Sequence, residues 1–183
     1  MSIVLVGSTS GSVTLQEPAV AGTTVLDLPA VSGTIITTGS PQSGSVLQVV
    51  NVNTNGYTTT TSSTWIDIPN LSLAITPKFS TSKILVIATV IAGKTANTYV
   101  GLRLVRNSTT ISTYNDAAGW TNSSVETTDN VAYTYLDSPA TTSPTTYKIQ
   151  FNSGQNISLA IIGNYINTPA NSRHSITLME IAA

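Results

Sequence analysis

The chain has 183 residues, of which 8% are charged, seven basic against eight acidic, with one histidine and no cysteine. With about a third of the usual charged share and no basic cluster, it cannot neutralise a run of phosphates, which excludes nucleic acid as a partner; the lack of cysteine removes soft metal sites and any need for an oxidising compartment. The 40% apolar content supports a buried core, yet no apolar run approaches the ~18 residues of a membrane span, so no membrane is expected as a partner.

The start, Met1-Ser2-Ile3-Val4, lacks the basic and long apolar regions of a signal peptide. From Met1 to Gly44 the chain falls into four eleven-residue units closing at Gly11, Gly22, Gly33 and Gly44. The two middle units agree at Leu15 and Leu26, Pro18 and Pro29, Ala19 and Ala30, Val20 and Val31, and at the closing glycine. A fixed period with a Pro and a Gly predicts a short strand, a proline-started bend and a glycine turn, repeated. Each unit holds too few apolar side chains to offset its own ordering entropy, so it must be buried against copies of itself or another surface. Residues 1–44 are therefore expected to form an extended arm for anchoring or trimerisation, with Leu15, Val20, Leu26, Val31 and Ile35 as candidate contacts. The Gly, Ser and Pro cluster ending at Gly44 marks the boundary to a second domain, 45–183.

From Ser45 onward, apolar runs of strand length recur between turn signals without a helical period, predicting an all-β domain. The candidate strands are Ser45–Asn53, Tyr57–Thr61, Thr64–Ile68, Leu71–Thr76, Lys83–Ile91, Asn97–Arg106, Thr109–Ser112, Val131–Asp137, Thr145–Asn152, Asn156–Gly163 and His174–Ala182. Tyr147, Ile149 and Phe151 alternate with Lys148, Gln150 and Asn152, so that strand has one wet face. Ile84 to Ile91 is apolar almost without interruption. Two explanations stay open for it: loops lying over a central strand, or one face on the second sheet of a sandwich and the other on a neighbouring subunit.

The lone histidine, His174, starts the last strand and reads as a surface or strand-edge residue. Gly7-Ser8-Thr9-Ser10-Gly11 approaches the nucleophile elbow but carries Thr9 at its centre. The eight carboxylates show no paired motif for glycoside hydrolysis. An all-oxygen calcium site around Asn115, Asp116, Glu126 and Asp129 is weighed against a solvated loop, which the composition favours. No enzyme, metal or cofactor is expected. The longest segment without strand patterning is Tyr114–Asn130, whose Trp120 offers a surface for a sugar ring or a partner, with Asn115, Asp116 and Asn122 as hydrogen-bonding neighbours. Folding of Trp120 back over the sandwich end is the alternative. Trp65, in an alternating segment, reads as core.

The segment Gly11 to Ala30, continued by Gly33-Thr34-Ile35-Ile36-Thr37, resembles the amino-terminal segments of tailed-bacteriophage virion proteins, tail fibres and head-decorating proteins alike. Ser45 to Val50, Thr64-Trp65-Ile66-Asp67-Ile68-Pro69 and Ser82 to Val86 are similar to trimeric β-sandwich tips of phage fibres and spikes, particularly from phages of aquatic bacteria. The resemblance implies a jelly-roll-like antiparallel β-sandwich, a three-fold axis and no catalytic residues. The function expected from it is a homotrimeric capsid decoration, or cement, protein on the outer capsid surface, with itself and the major capsid protein as partners. A tail-fibre or tailspike tip binding a host surface glycan is the alternative; four short repeats make a poor fibre shaft.

Overall fold

The computed structural model describes the whole chain except residues 1–2, 17–18, 21, 24, 26–29, 34–36, 96, 119, 122–124, 156–158 and 164–172, and the side chains of 115–117. It contains two compact units, Met1–Ile35 and Ile36–Ala183. Residues just before the expected boundary at Gly44 belong with the second unit, since the Gly44 amide donates to the Ala182 carbonyl at 2.8 Å and the Ala182 amide to Ser45 at 2.9 Å.

In the first unit, β1 (Ile3–Val6) and β2 (Ser12–Leu15) pair antiparallel, Ile3 opposite Leu15 and Val6 opposite Ser12. The Gly7 amide closes the turn on the Gly11 carbonyl at 2.9 Å, with Gly11 at φ 77°, a conformation that favours glycine. The strands therefore flank the first repeat boundary.

The second unit is an antiparallel β-sandwich. Its strands are β3 (Val46–Thr54), β4 (Thr58–Thr60), β5 (Ile66–Ile75), β6 (Lys83–Lys94), β7 (Val100–Arg106), β8 (Thr109–Ala118), β9 (Thr127–Asp137), β10 (Thr145–Ser153), β11 (Ala160–Ile162) and β12 (His174–Ile181). One sheet runs β5-β10-β7-β8; the other runs β3-β12-β6, with β9 on the far side of β6 and the short β11 and β4 continuing beside it. If β4 and β11 are set aside, the strands of this unit lie first, eighth, third, sixth in one sheet and second, seventh, fourth, fifth in the other. That order is a jelly roll, two Greek keys folded on each other.

Strand alternation builds the core between the sheets. Ile84, Val86, Ala88 and Val90 of β6 and Ile176 and Leu178 of β12 face Leu102 and Leu104 of β7 and Tyr147, Ile149 and Phe151 of β10, all buried. Each such large aliphatic or aromatic side chain contributes about 1.5–3 kcal/mol by leaving water. The expected alternation of β10 holds residue for residue. Two expected strands, Thr64–Ile68 and Leu71–Thr76, are one: Asn70 adopts φ 59° and the β5 to β10 register shifts there, a bulge that absorbs the Pro69-Asn70 break.

The expected loop Tyr114–Asn130 is corrected. β8 continues through Ala118, which pairs with Val100, and β9 begins at Thr127, opposite Lys94. Both are edge strands, so their outward positions tolerate Thr, Asn and Asp, which reads as loop composition. Tyr114 instead stacks on Tyr133 at 4.0 Å and 15° between planes, tying β8 to β9.

Candidate functional site

Three surfaces are candidates, and the first is the β1–β2 ribbon. Every residue of both strands is exposed, including Ile3, Val4, Leu5, Val6, Val13 and Leu15. A lone two-stranded ribbon is marginal in water, and this one turns apolar side chains outward on both faces. Further along the same unit Val20 is 90% exposed, and Val25 and Val31 are also open. Of the candidate arm contacts, Leu15, Val20 and Val31 are thus uncovered; Leu26 and Ile35 lie outside the described residues.

The second surface is the outward face of the six-stranded sheet. The registers align Val49 of β3, Met179 of β12, Leu85 of β6 and Leu136 of β9 in one row across four strands. The next row is Asn51, Thr177, Ile87 and Thr134. Val49 and Leu136 are 53% and 51% exposed, and Ile87 is open as well. The unbroken apolar run in β6 is explained: even positions fill the core, while odd ones are half-buried or exposed on this outer face.

The outward face of the other sheet has opposite chemistry. Lys148 Nζ pairs with Asp67 at 2.8 Å, Gln150 Nε2 donates to Asp67 at 2.6 Å, and Arg103 Nε donates to Gln150 at 2.8 Å. Burial pushes the Asp67 carboxyl up, but the Lys148 and Gln150 hydrogen bonds outweigh it and hold it below the ordinary range. Trp65 belongs to this face, half-buried beneath the Arg103 guanidinium at 4.6 Å, and not to the core as expected. Gly101 leaves room on this face for both the Asn152 side chain and the indole: a Cβ there would run into Asn152 Oδ1 and lie 3.0 Å from the Trp65 ring. Nothing local in the sequence announces a glycine in β7 as a seat for an indole from another strand.

The third surface surrounds Trp120, which is 47% exposed and meets Tyr99 edge-on at 6.2 Å. Asn115 and Asp116 sit in β8, and Asn122 lies outside the described residues. Asp129 lies in β9, opposite Ala92. Among the described residues no three of His, Cys, Asp and Glu gather as a metal site.

Sequence reasoning missed two buried polar groups at opposite ends of β12. His174, expected at the surface, is fully buried. Its Nδ1 accepts from the Ile91 amide at 3.1 Å, so Nε2 carries the proton and donates to the Gly56 carbonyl at 2.9 Å. Burial lowers its pKa, only partly opposed by the Gly56 bond. Both nitrogens serve the backbone, which is structural work. The strand-start position of His174 gave no sign that two distant backbone segments converge on it. At the other end the buried Glu180 accepts from the Lys78 amide at 2.7 Å, the Phe79 amide at 3.3 Å and Gln48 Nε2 at 2.5 Å. The chain carries no catalytic motif.

No protein-family model and no curated protein matches the chain. Among solved structures it is similar to that of the Gx strain of infectious bursal disease virus, at 15% identity and a TM-score of 0.44, covering 94% of this chain and 43% of that one. The VP2 subviral particle of the same virus gives 14% identity and a TM-score of 0.39 over 87% of this chain and 42% of that one. Its derived T=1 particles give 17%, 0.38, 98% and 44%. The chain therefore spans less than half the length of the chains it matches. These matches correct the expected kinship. These structures are shells of an icosahedral virus, not tail fibres or head-decorating proteins of tailed bacteriophages, and the bacteriophage assignment goes no further.

Proposed function

We propose that the chain is a structural protein of an icosahedral virus shell, carried on its outer surface as a homotrimer and gripped through its amino-terminal unit by the major capsid protein. The observation that carries this reading is the β1–β2 ribbon and the segment after it. Ile3, Val4, Leu5 and Val6 beside Val13 and Leu15 expose apolar side chains on a ribbon too thin to cover them, and Val20, Val25 and Val31 of the same unit are open as well. Such a ribbon suits strand addition along a partner, where main-chain hydrogen bonds supply affinity and alternate side chains enter pockets. Bound across subunit boundaries, it favours the assembled shell by mass action, by ~2.7 kcal/mol per site when the free protein stands at about one hundred times its dissociation constant.

The test removes residues 1–35 and asks whether folding and attachment separate. The buried core lies wholly within the second unit, so the truncated protein should keep its β circular-dichroism spectrum and cooperative melt. It should no longer bind shells stripped of the full-length protein. Shells reconstituted with the full chain should rupture at higher temperature than stripped ones. Attachment by the truncated protein would refute the anchoring role. Stripped shells as robust as complete ones, but unable to adsorb to cells, would give the exposed Trp120 surface the leading role instead.

A further inference from the structure

We propose that the outward face of the six-stranded sheet is the self-association surface of this chain, three copies turning it toward a common axis. The proposal rests on the homotrimeric reading above and names the surface that makes the trimer. A solvated sandwich sheet presents polar residues outward, and the other sheet of this molecule does so, with its Asp67, Lys148, Gln150 and Arg103 network. The six-stranded sheet instead sets Val49, Met179, Leu85 and Leu136 in a continuous row, with Ile87 beside it.

The occupant follows from charge and from size. Residues close to a three-fold axis meet their own copies, so a charge there repels itself, whereas uncharged apolar side chains can crowd the axis without that cost. Both aligned rows across β3, β12, β6 and β9 are uncharged, and Lys83 enters only at the margin, opposite Ile181. Four strands ~4.8 Å apart and some eight residues long give a face of roughly 500 Å² in projection. With side-chain relief this is of the order of the ~800 Å² per partner that stable interfaces bury. A partner of strong charge gains nothing from such a face; a second and third copy of the same chain lose no solvated charge on meeting it.

The test uses the full chain and sedimentation equilibrium at micromolar concentration. Wild type should sediment as three chains, and Val49→Lys with Leu136→Lys as one. Both positions are about half exposed in the single chain, so the far-UV spectrum should be unchanged. Ser72→Lys, on the outward face of the other sheet, should stay trimeric. Should the lysine pair impair folding, Val49→Thr with Leu136→Thr keeps strand propensity and should shift the mass from three chains toward one. A wild-type monomer, or a trimer that survives both pairs, overturns the proposal. A trimer lost on removing residues 1–35 but kept in both pairs would overturn it too, and assign association to the ribbon. The shell-anchoring reading is scored separately, by binding to stripped shells: monomeric variants that still bind leave the anchor standing, and trimers that fail to bind refute the anchor alone.

Discussion

Glu180 fastens one end of the sandwich, and replacing it with alanine should be among the most costly single changes outside the apolar core. The substitution leaves the Lys78 and Phe79 amides and Gln48 Nε2 without the acceptor they now share. Gln48 retains the Thr76 carbonyl at 2.7 Å, so the loss falls mainly on the two amides. An unsatisfied donor away from water costs about 1–3 kcal/mol, and these amides are part-buried, which sets the total at about 2–4 kcal/mol. In a domain of this size that lowers Tm by about 5–15 °C. Glu180→Gln keeps one carbonyl acceptor for the amides and should cost roughly half as much. Burial pushes the Glu180 carboxyl up, but the Ser82 side chain, then hydrogen bonds from Gln48 and the Lys78 and Phe79 amides, outweigh it, so its folded pKa lies below the ordinary value. Its contribution is therefore complete above the unfolded value of about 4.3 and disappears as pH falls through the folded one. Urea denaturation across that range, for wild type and both variants, reads all of this. A Glu180→Ala protein within ~0.5 kcal/mol of wild type, or an acid slope as steep in Glu180→Gln as in wild type, would refute the reasoning; the part that Asp67 and His174 contribute should remain in both.

His174, whose folded pKa is depressed, stays neutral in the fold while the unfolded chain takes up a proton below about 6.5. Stability should thus be complete above that pH and fall below it, by at most ~1.4 kcal/mol per pH unit until the folded pKa is reached, and a His174→Gln variant should flatten the slope. Gly154→Ala would drive a Cβ into the Tyr99 ring, an overpacking that should cost about 1–3 kcal/mol in chemical denaturation; wild-type stability would mean that the ring moves freely.

The parts of the fold that were legible in the sequence are those set by neighbours along the chain. The alternation Tyr147, Ile149, Phe151 against Lys148, Gln150, Asn152 has a period of two and needs no partner to interpret, and it holds. What was not legible depends on residues far apart in sequence. Val131–Asp137 reads as a strand, but the first four residues of β9, Thr127 to Asn130, read as loop until their pairing with β6 is known, and β5 reads as two strands until Asn70 is seen to fold the interruption into a bulge. His174 is buried because Gly56 and Ile91, more than eighty residues upstream, supply backbone partners on both sides of its ring. Trp65 looked like core because alternation tells which residues share a face but not which face is inside. That choice was made by Gly101, on which the indole rests, and by Arg103, which covers it.

The same ambiguity of faces connects the scarcity of charge to function. A sandwich needs one apolar face per sheet, and β6 has two, the inner one through Ile84, Val86 and Ala88 and the outer one through Leu85 and Ile87. A chain living alone in water would be expected to spend its outward positions on Lys and Glu, as small soluble domains do, and the Asp67–Lys148 face shows that this fold accommodates them. Their scarcity on the outward face of one sheet, where Lys83 stands only at the margin, and their absence along the β1–β2 ribbon fit a protein whose surfaces are meant to be covered. The two apolar surfaces belong to different compact units, and the proposed reading gives each its own cover, copies of the chain for the sheet and a shell for the ribbon. On that reading three ribbons on one trimer would reach the shell together, and the second and third would attach at the high effective concentration set by the first. A ribbon too weak to hold one chain would then become a firm attachment when multiplied by three.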